Sequence, residues 1–368
     1  MLVTRVRVRD FRNYERIDLD LGHGLTVVSG QNGAGKTNLL EAVYFGLTAR
    51  SARTTNEREV IRHGAALTRV ALTTSSADAE HELEVGFEPG QPKRLRLDGS
   101  VPDAFTVGEA RPPVSVFLPE RLELVKGAPA HRRAHLDRFV AAVWPARSST
   151  RAAYGRALAQ RNALLGRIRA GAAREESLAT WDAEFARHGA ALMADRREAV
   201  EQLASHFERR AGELGLSSSA ELRYRPRSHA QDARGLVEEL SGRREEDLAR
   251  GFTSHGPHRD DLLLLHSGRA LRAFGSQGQQ RVGVLALLFG ERDVLAACSR
   301  PPLMLLDDVM SELDPERRER LTNLLREGGQ AIVTATDLEH VPGARDSAIA
   351  TLAVADGVLR ATPRSLAA

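Results

Sequence analysis

Cysteine and lysine are nearly absent from this chain of 368 residues. The single cysteine, Cys298, excludes an intrachain disulfide and any cysteine-rich zinc module. Its apolar setting, Val294-Leu-Ala-Ala-Cys298, predicts a small buried hydrophobe. No apolar run approaches the ~18 residues that span a bilayer. The opening Met1-Leu-Val-Thr-Arg-Val-Arg-Val-Arg-Asp10 has no signal-peptide core, so a cytoplasmic protein is expected. Sustained heptads are missing too, which argues against a long coiled coil. Only Lys36, Lys93 and Lys126 are lysines among 52 basic residues. Nearly every positive charge is therefore a flat, forked guanidinium and not a compact point charge.

One of those lysines stands where a point charge has a use. Gly30-Gln31-Asn32-Gly33-Ala34-Gly35-Lys36-Thr37 follows the apolar run Leu25–Ser29 and leads into a helical pattern over 38–49. This is a phosphate-binding loop in its strand-to-helix context. Glycines at 30, 33 and 35 let successive backbone N–H groups face one concavity, and the helix adds its positive end. Lys36 is expected to reach the β- and γ-phosphates of a nucleotide, and the Thr37 hydroxyl to ligate magnesium.

A second element is Pro301-Pro-Leu-Met-Leu-Leu-Asp307-Asp308, an apolar strand whose end presents two acids. Asp307 suits the magnesium side, and Asp308 is placed to orient or deprotonate attacking water. Ser311-Glu-Leu-Asp314 then precedes Pro315, which predicts an aspartate cap and a helix to about Arg326. Upstream, Ser276-Gln-Gly278-Gln279 opens a helix over 277–297. Ser276 and Gln279 form a capping box, and the same helix start could close over an anion.

Elsewhere the pattern predicts strands over 2–9, 18–21, 70–73, 81–85, 95–97, 114–118, 261–266, 303–306 and 330–335. Residues 128–250 are rich in Ala, Arg, Glu and Leu at helical spacing and predict an inserted helical lobe. The expected architecture is α/β with a mixed or parallel sheet core. Its divisions are 1–127 with the phosphate loop and a β-rich subdomain, 128–250 helical, and 251–368 with the remaining site motifs. Formal net charge is only +3, although the sequence pI is about 9.3. Residues 131–170 nevertheless hold nine arginines against one acid, Asp137. Those at 132, 133, 138, 147, 151, 156, 161, 167 and 169 are candidates for a face that contacts DNA phosphates without sequence preference; a solvated helical surface is the other reading.

The order of phosphate loop, long insertion, S-x-G-Q, LLDD and SELD resembles an ATP-binding-cassette ATPase head. Within that superfamily the chain resembles the RecF family along essentially its whole length. The residues that carry this are Asp10-Phe-Arg-Asn-Tyr14, Arg50-Ser-Ala-Arg53, Ile61-Arg-His-Gly64, Phe117-Leu-Pro-Glu120, Leu124-Val-Lys-Gly127, His255-Gly-Pro-His-Arg-Asp-Asp-Leu262 and Leu305–Val309. The resemblance implies ATP and Mg2+ sandwiched in a homodimer. One copy supplies Gly30–Thr37, Asp307 and Asp308, and the other supplies Ser276, Gly278 and Gln279. It further implies action at junctions of single- and double-stranded DNA with RecO and RecR. Loading of RecA, gap repair and the SOS response follow, with slow ATP hydrolysis as a timer. An Asp stands at 308 where transporters carry Glu, and Thr336 and Glu120 are the nearest equivalents of the histidine switch and Q-loop residue. A transporter ATPase subunit is the alternative; it would need a membrane partner. A nucleoside kinase shares the loop but needs neither S-x-G-Q nor SELD.

Overall fold

The computed structural model describes residues 1–102, 108, 110–216, 219–298 and 300–361. The chain divides into two compact units, Met1–Arg121 with Leu295–Ala368, and Leu122–Val294. Residues 251–294, grouped by sequence with the carboxy-terminal site motifs, belong to the second of these.

In the first unit, alternation builds the opening strand. Leu2–Phe11 buries Val6 and Val8 and turns Arg7 and Arg9 outward. It lies in an antiparallel sheet ordered Tyr14–Asp20, Leu2–Phe11, Thr68–Ser75, Glu80–Phe87, Arg94–Leu97. A second, mixed sheet runs Val358–Ala361, Ala350–Ala355, Leu25–Ser29, Ala331–Ala335, Leu303–Leu306, Val114–Phe117. All of its pairings are parallel except the terminal hairpin. Leu303–Leu306 and Ala331–Ala335 are buried at every position, as strands covered on both faces must be. The helix Lys36–Thr48 packs its Leu39, Leu40, Val43 and Phe45 into the shared core. Gln330 joins the two sheets, accepting from Val3 N at 2.9 Å and donating to Val3 O at 2.7 Å and Gly22 O at 2.8 Å.

The hairpin Ala350–Ala355/Val358–Ala361 extends the expected strand set. Its turn carries Asp356-Gly357, both at positive φ, the chemistry of a tight hairpin.

The second unit is mostly helical, with Pro129–Val143, Thr150–Arg169, Leu178–Glu213, Ala233–Ser241 and Arg244–Arg250. One correction applies within 128–250. Ala220–Arg225 is a strand, paired antiparallel with Asp261–His266, which pairs in turn with Arg269–Ala270. Ala220 and Leu222 are buried while Arg223 and Arg225 face outward, so a period of two was present inside a helix-like composition. The longest described helix, Leu178–Glu213, packs along Thr150–Arg169, and no long coiled coil is present among the described residues. Tyr154 and Phe185 lie with ring centroids 5.1 Å apart at that junction. Among the described residues no helix is long and apolar enough to cross a membrane. Cys298 was expected inside and is exposed, because it ends the helix Gln277–Cys298 where Ala296 and Ala297 also face out.

Candidate nucleotide site and the charged network of the helical unit

The phosphate loop leaves the end of Leu25–Ser29, the strand between Ala331–Ala335 and Ala350–Ala355. Leu303–Leu306 is the next strand beyond Ala331–Ala335, so its carboxyl end opens toward the same crevice. The loop is braced from behind. Asn13 Nδ2 donates to Ala34 O at 3.1 Å, Tyr14 Oη to Gly35 O at 2.8 Å, and Gly357 N to Ala34 O at 3.2 Å. Gly35 has φ 120°, and a Cβ there would lie 2.7 Å from Asn13 Nδ2. Only glycine satisfies both constraints. Gly30 is compelled by close approach alone, since a Cβ would sit 2.3 Å from Val354 O.

Three elements meet at one carboxylate. Thr37 Oγ1 lies 3.0 and 2.8 Å from the two oxygens of Asp307, and Thr334 Oγ1 donates to Asp307 Oδ1 at 2.7 Å. The same Thr334 hydroxyl accepts from Asp308 N at 2.9 Å. Burial pushes the Asp307 carboxyl above its usual range; the Thr334 and Thr37 hydroxyls pull it back and the Asp308 charge adds to the rise. Asp308 holds φ 45°, a strained position for an aspartate, and its buried Oδ1 has no hydrogen-bond partner among the described residues. Lys36 folds its ammonium back onto Gly30 O at 2.7 Å and Gln31 O at 3.0 Å. Burial lowers its pKa, against the opposing pull of Asp308 and Asp307. Gln31, Asn32 and Gly33 stand exposed at the lip of the loop.

The donor set fits magnesium in a particular way. A hydroxyl, a buried carboxylate and an orphaned carboxylate oxygen are hard oxygen donors. Among the described residues no group of three or more His, Cys, Asp or Glu could cage a metal by itself. Such a site suits a cation that also takes phosphate oxygens and water.

Glu41 organises what surrounds the loop helix, and sequence reasoning had passed over it. Its buried carboxylate accepts from Arg12 at 2.8 and 2.7 Å and from Ser51 Oγ at 2.5 Å, with Arg53 3.5 Å away. Arg53 continues to Asn38 Oδ1 at 3.1 Å, and Asn38 to Asn13 Oδ1 at 2.7 Å. The motifs at 10–14 and 50–53 are thus tied to one acid on the loop helix. Thr334 was also missed. A lone hydroxyl inside the apolar strand Ala331-Ile-Val-Thr-Ala335 was its signal. Thr336, singled out from sequence, lies instead 3.4 Å from His340 Nδ1. The Glu120 side chain lies outside the described residues.

Ser276 is exposed and caps the helix Gln277–Cys298. Ser276 N donates to Gln279 Oε1 at 2.8 Å and Gln279 N to Ser276 Oγ at 3.2 Å, a reciprocal box. Buried Gln280 clamps the preceding turn through Leu271 O and Gly275 O, both at 3.0 Å. Gly278 is half-buried on the first turn. Asp314 caps its helix as expected, accepting from Arg317 N at 2.9 Å.

Eight of the nine arginines of 131–170 split into two populations, and Arg133 is half-buried, donating to Asp260 O at 2.8 Å. Arg161 is wholly buried, donating to Asp182 at 2.8 Å and to Asp247 and Thr253 Oγ1 at 2.7 Å. Arg132 is buried against Asp261 at 2.7 and 3.1 Å. Arg147 pairs with Asp195 and Glu198. These three are therefore no solvent-facing stripe; acids from 182 to 261 neutralise them across the unit. Arg138, Arg151, Arg156, Arg167 and Arg169 remain exposed.

A family described as "AAA domain, putative AbiEii toxin, Type IV TA system" matches residues 25–336. A DNA replication and repair protein RecF of Acidothermus cellulolyticus is 37% identical over 94% of this chain and 96% of its own length. One from an Anaeromyxobacter species is 41% identical over 92% and 93%. A solved structure of the recombination mediator protein RecF with ATPrS in the RecFOR pathway superposes with a TM-score of 0.84 at 28% identity, covering 98% of this chain and 97% of that one. An Smc head bound to the C-terminal winged-helix domain of ScpA shares the fold, with a TM-score of 0.62 at 17% identity.

Proposed function

The chain belongs to the RecF family of ATP-binding DNA replication and repair proteins, within the broader AAA-domain family, and from that premise we propose that it is an ATP-gated dimeric clamp for gapped DNA. The observation that carries this reading is the junction of Thr37, Asp307 and Thr334 beneath a braced phosphate loop. The loop amides of Gly30–Thr37 and Lys36 hold the triphosphate of ATP. Thr37 and Asp307 hold Mg2+, which supplies charge neutralisation of the phosphates when bound. Asp308, one methylene shorter than glutamate, orients the attacking water from a longer reach, so hydrolysis is slow and serves as a timer. The exposed Ser276, with Gly278 and Gln279 at the same capped helix start, seals the γ-phosphate of ATP held by a second copy.

In this reading the closed dimer binds the sugar–phosphate backbone at junctions of single- and double-stranded DNA in the cytoplasm. It works with RecO and RecR to load RecA, supporting gap repair and the SOS response. The test compares sedimentation and retention of a gapped duplex with ATP, ADP and no nucleotide. ATP alone should give the dimer and hold the DNA; equal dimer with ADP overturns the reading. Lys36→Ala should weaken ATP binding by roughly ten- to a hundredfold, the worth of a charge-assisted hydrogen bond. Ser276→Arg should keep ATP affinity and lose the dimer, and Asp308→Asn should bind ATP and fail to turn it over.

A further inference from the structure

The sequence motif Gly256-Pro-His-Arg-Asp-Asp-Leu262 is not among the residues assigned above to the nucleotide site. In the helical unit seven arginines lie at or beside three carboxylates, and four of them, Arg132, Arg151, Arg196 and Arg225, approach an acid through the guanidinium. Asp137 accepts from Arg196 at 2.7 and 3.0 Å and lies 3.1 Å from Arg151. Asp260 accepts from Arg196 at 3.2 Å, from Tyr224 Oη and from Arg227 N at 2.7 Å, and its carbonyl accepts from Arg133 at 2.8 Å. Asp261 is engaged by Arg132 and lies 3.6 Å from Arg225. The seventh, Arg259, precedes these acids on the turn Pro257–Arg259 and is exposed.

The division between inside and outside is sharp. Arg132 and Arg196 are buried and take the strong bidentate contacts of Asp261 and Asp137, while Asp260 is fully buried. Arg151 and Arg225 keep side chains 64% and 65% exposed, and each touches an acid already satisfied by a buried arginine. Arg227 and Arg259 are exposed and have no carboxylate partner among the described residues. The buried acids therefore hold the backbone of this corner, and the positive charge in excess of them stands in water.

We propose that this corner, with Arg225, Arg227 and Arg259 at its centre and Arg133 and Arg151 beside them, is a docking surface for the backbone of double-stranded DNA. The proposal rests on the DNA-binding reading above and names where the phosphates sit. Guanidinium forks on a rigid frame match phosphate oxygens bidentately. The aromatic residues of the cluster face elsewhere: Tyr154 is buried against His258, and Tyr224 is hydrogen-bonded to Asp260. A single-strand site needs exposed rings on which bases stack, so a duplex read by phosphate contact alone is the partner this surface fits.

The experiment uses the full chain with Arg225→Gln, Arg227→Gln and Arg259→Gln combined, and a labelled DNA duplex titrated with ATP and Mg2+ over a salt series. Each phosphate contact contributes about 0.9 to the slope of log K against log salt, so the triple variant should lose about 2.7. Thermal unfolding and ATP affinity without DNA should match the wild type. An unchanged slope in the triple variant, with the wild type binding the duplex, overturns this surface alone. A loss confined to a single-stranded oligonucleotide of the same length overturns the duplex assignment. A wild type that binds no DNA with ATP present overturns the functional reading itself, and with it this surface.

Discussion

The phosphate-loop crevice and the arginine–aspartate network of the helical unit treat buried charge in opposite ways. In the network each acid has a guanidinium in hydrogen-bond contact, as at Asp182, Asp247 and Asp261 with Arg161 and Arg132. In the crevice, among the described residues, Asp307 is held only by hydroxyls, Asp308 Oδ1 has no partner, and Lys36 rests on backbone carbonyls. Paired charge of the first kind locks a conformation. The second kind is a set of polar groups whose best partners come from outside the protein. One region supports the fold, and the other pays for its readiness in stability.

That contrast can be broken by measuring unfolding free energies by chemical denaturation. The largest effect is expected at Arg161→Met, which leaves Asp182 and Asp247 buried with a lost counter-charge; a loss of about 3–5 kcal/mol is the usual scale. Less than 1 kcal/mol would mean that water or a rearranged Arg244 replaces it. His258 should come next, through pH. Burial pulls its imidazole down to about 4, so the folded protein binds fewer protons than the unfolded chain between that value and the ordinary 6.5. Stability should fall as pH is lowered through this window, and His258→Gln should flatten the slope; a variant with the wild-type slope removes His258 as its source.

The crevice should respond with the opposite sign. The Asp307 carboxyl is held above its unfolded value, so the folded state binds more protons and its stability falls as pH rises through the two values. Asp307→Asn should therefore be more stable than the wild type at neutral pH, with the gain shrinking toward pH 4. A destabilised variant would place Asp307 with the structural acids. The smallest change is expected for Lys36→Ala, whose unfolding free energy should stay within about 1 kcal/mol of the wild type while ATP binding weakens as stated above. A large stability loss there would make Lys36 a structural residue.

Much of this could be read along the chain. Alternation at Leu2–Phe11, the apolar runs Leu25–Ser29 and Leu303–Leu306, and the caps at Ser276 and Asp314 are local patterns, and the corresponding elements formed. The Ala220–Arg225 strand was hidden because its composition is that of the helices around it, and its partner Asp261–His266 lies far along the chain. Cys298 misled because an apolar neighbourhood in sequence says nothing about which helical turn reaches the surface. Three of the nine arginines, Arg132, Arg147 and Arg161, misled for a similar reason: their acids come from 182–261, beyond any local window.

What the residues determined by themselves were the groups of short range: a loop able to turn its amides inward, a lysine at its end, acids after a buried strand, and caps for the helix starts at Ser276 and Asp314. These depend on backbone conformation within a few residues, which side-chain type controls directly. Only tertiary structure decided that Thr37 and Thr334 would meet at Asp307, that Glu41 would collect Arg12 and Arg53, and which arginines would be engaged by buried acids. Each of those outcomes is a meeting between distant segments. It follows from strand order and burial, which no local spacing encodes.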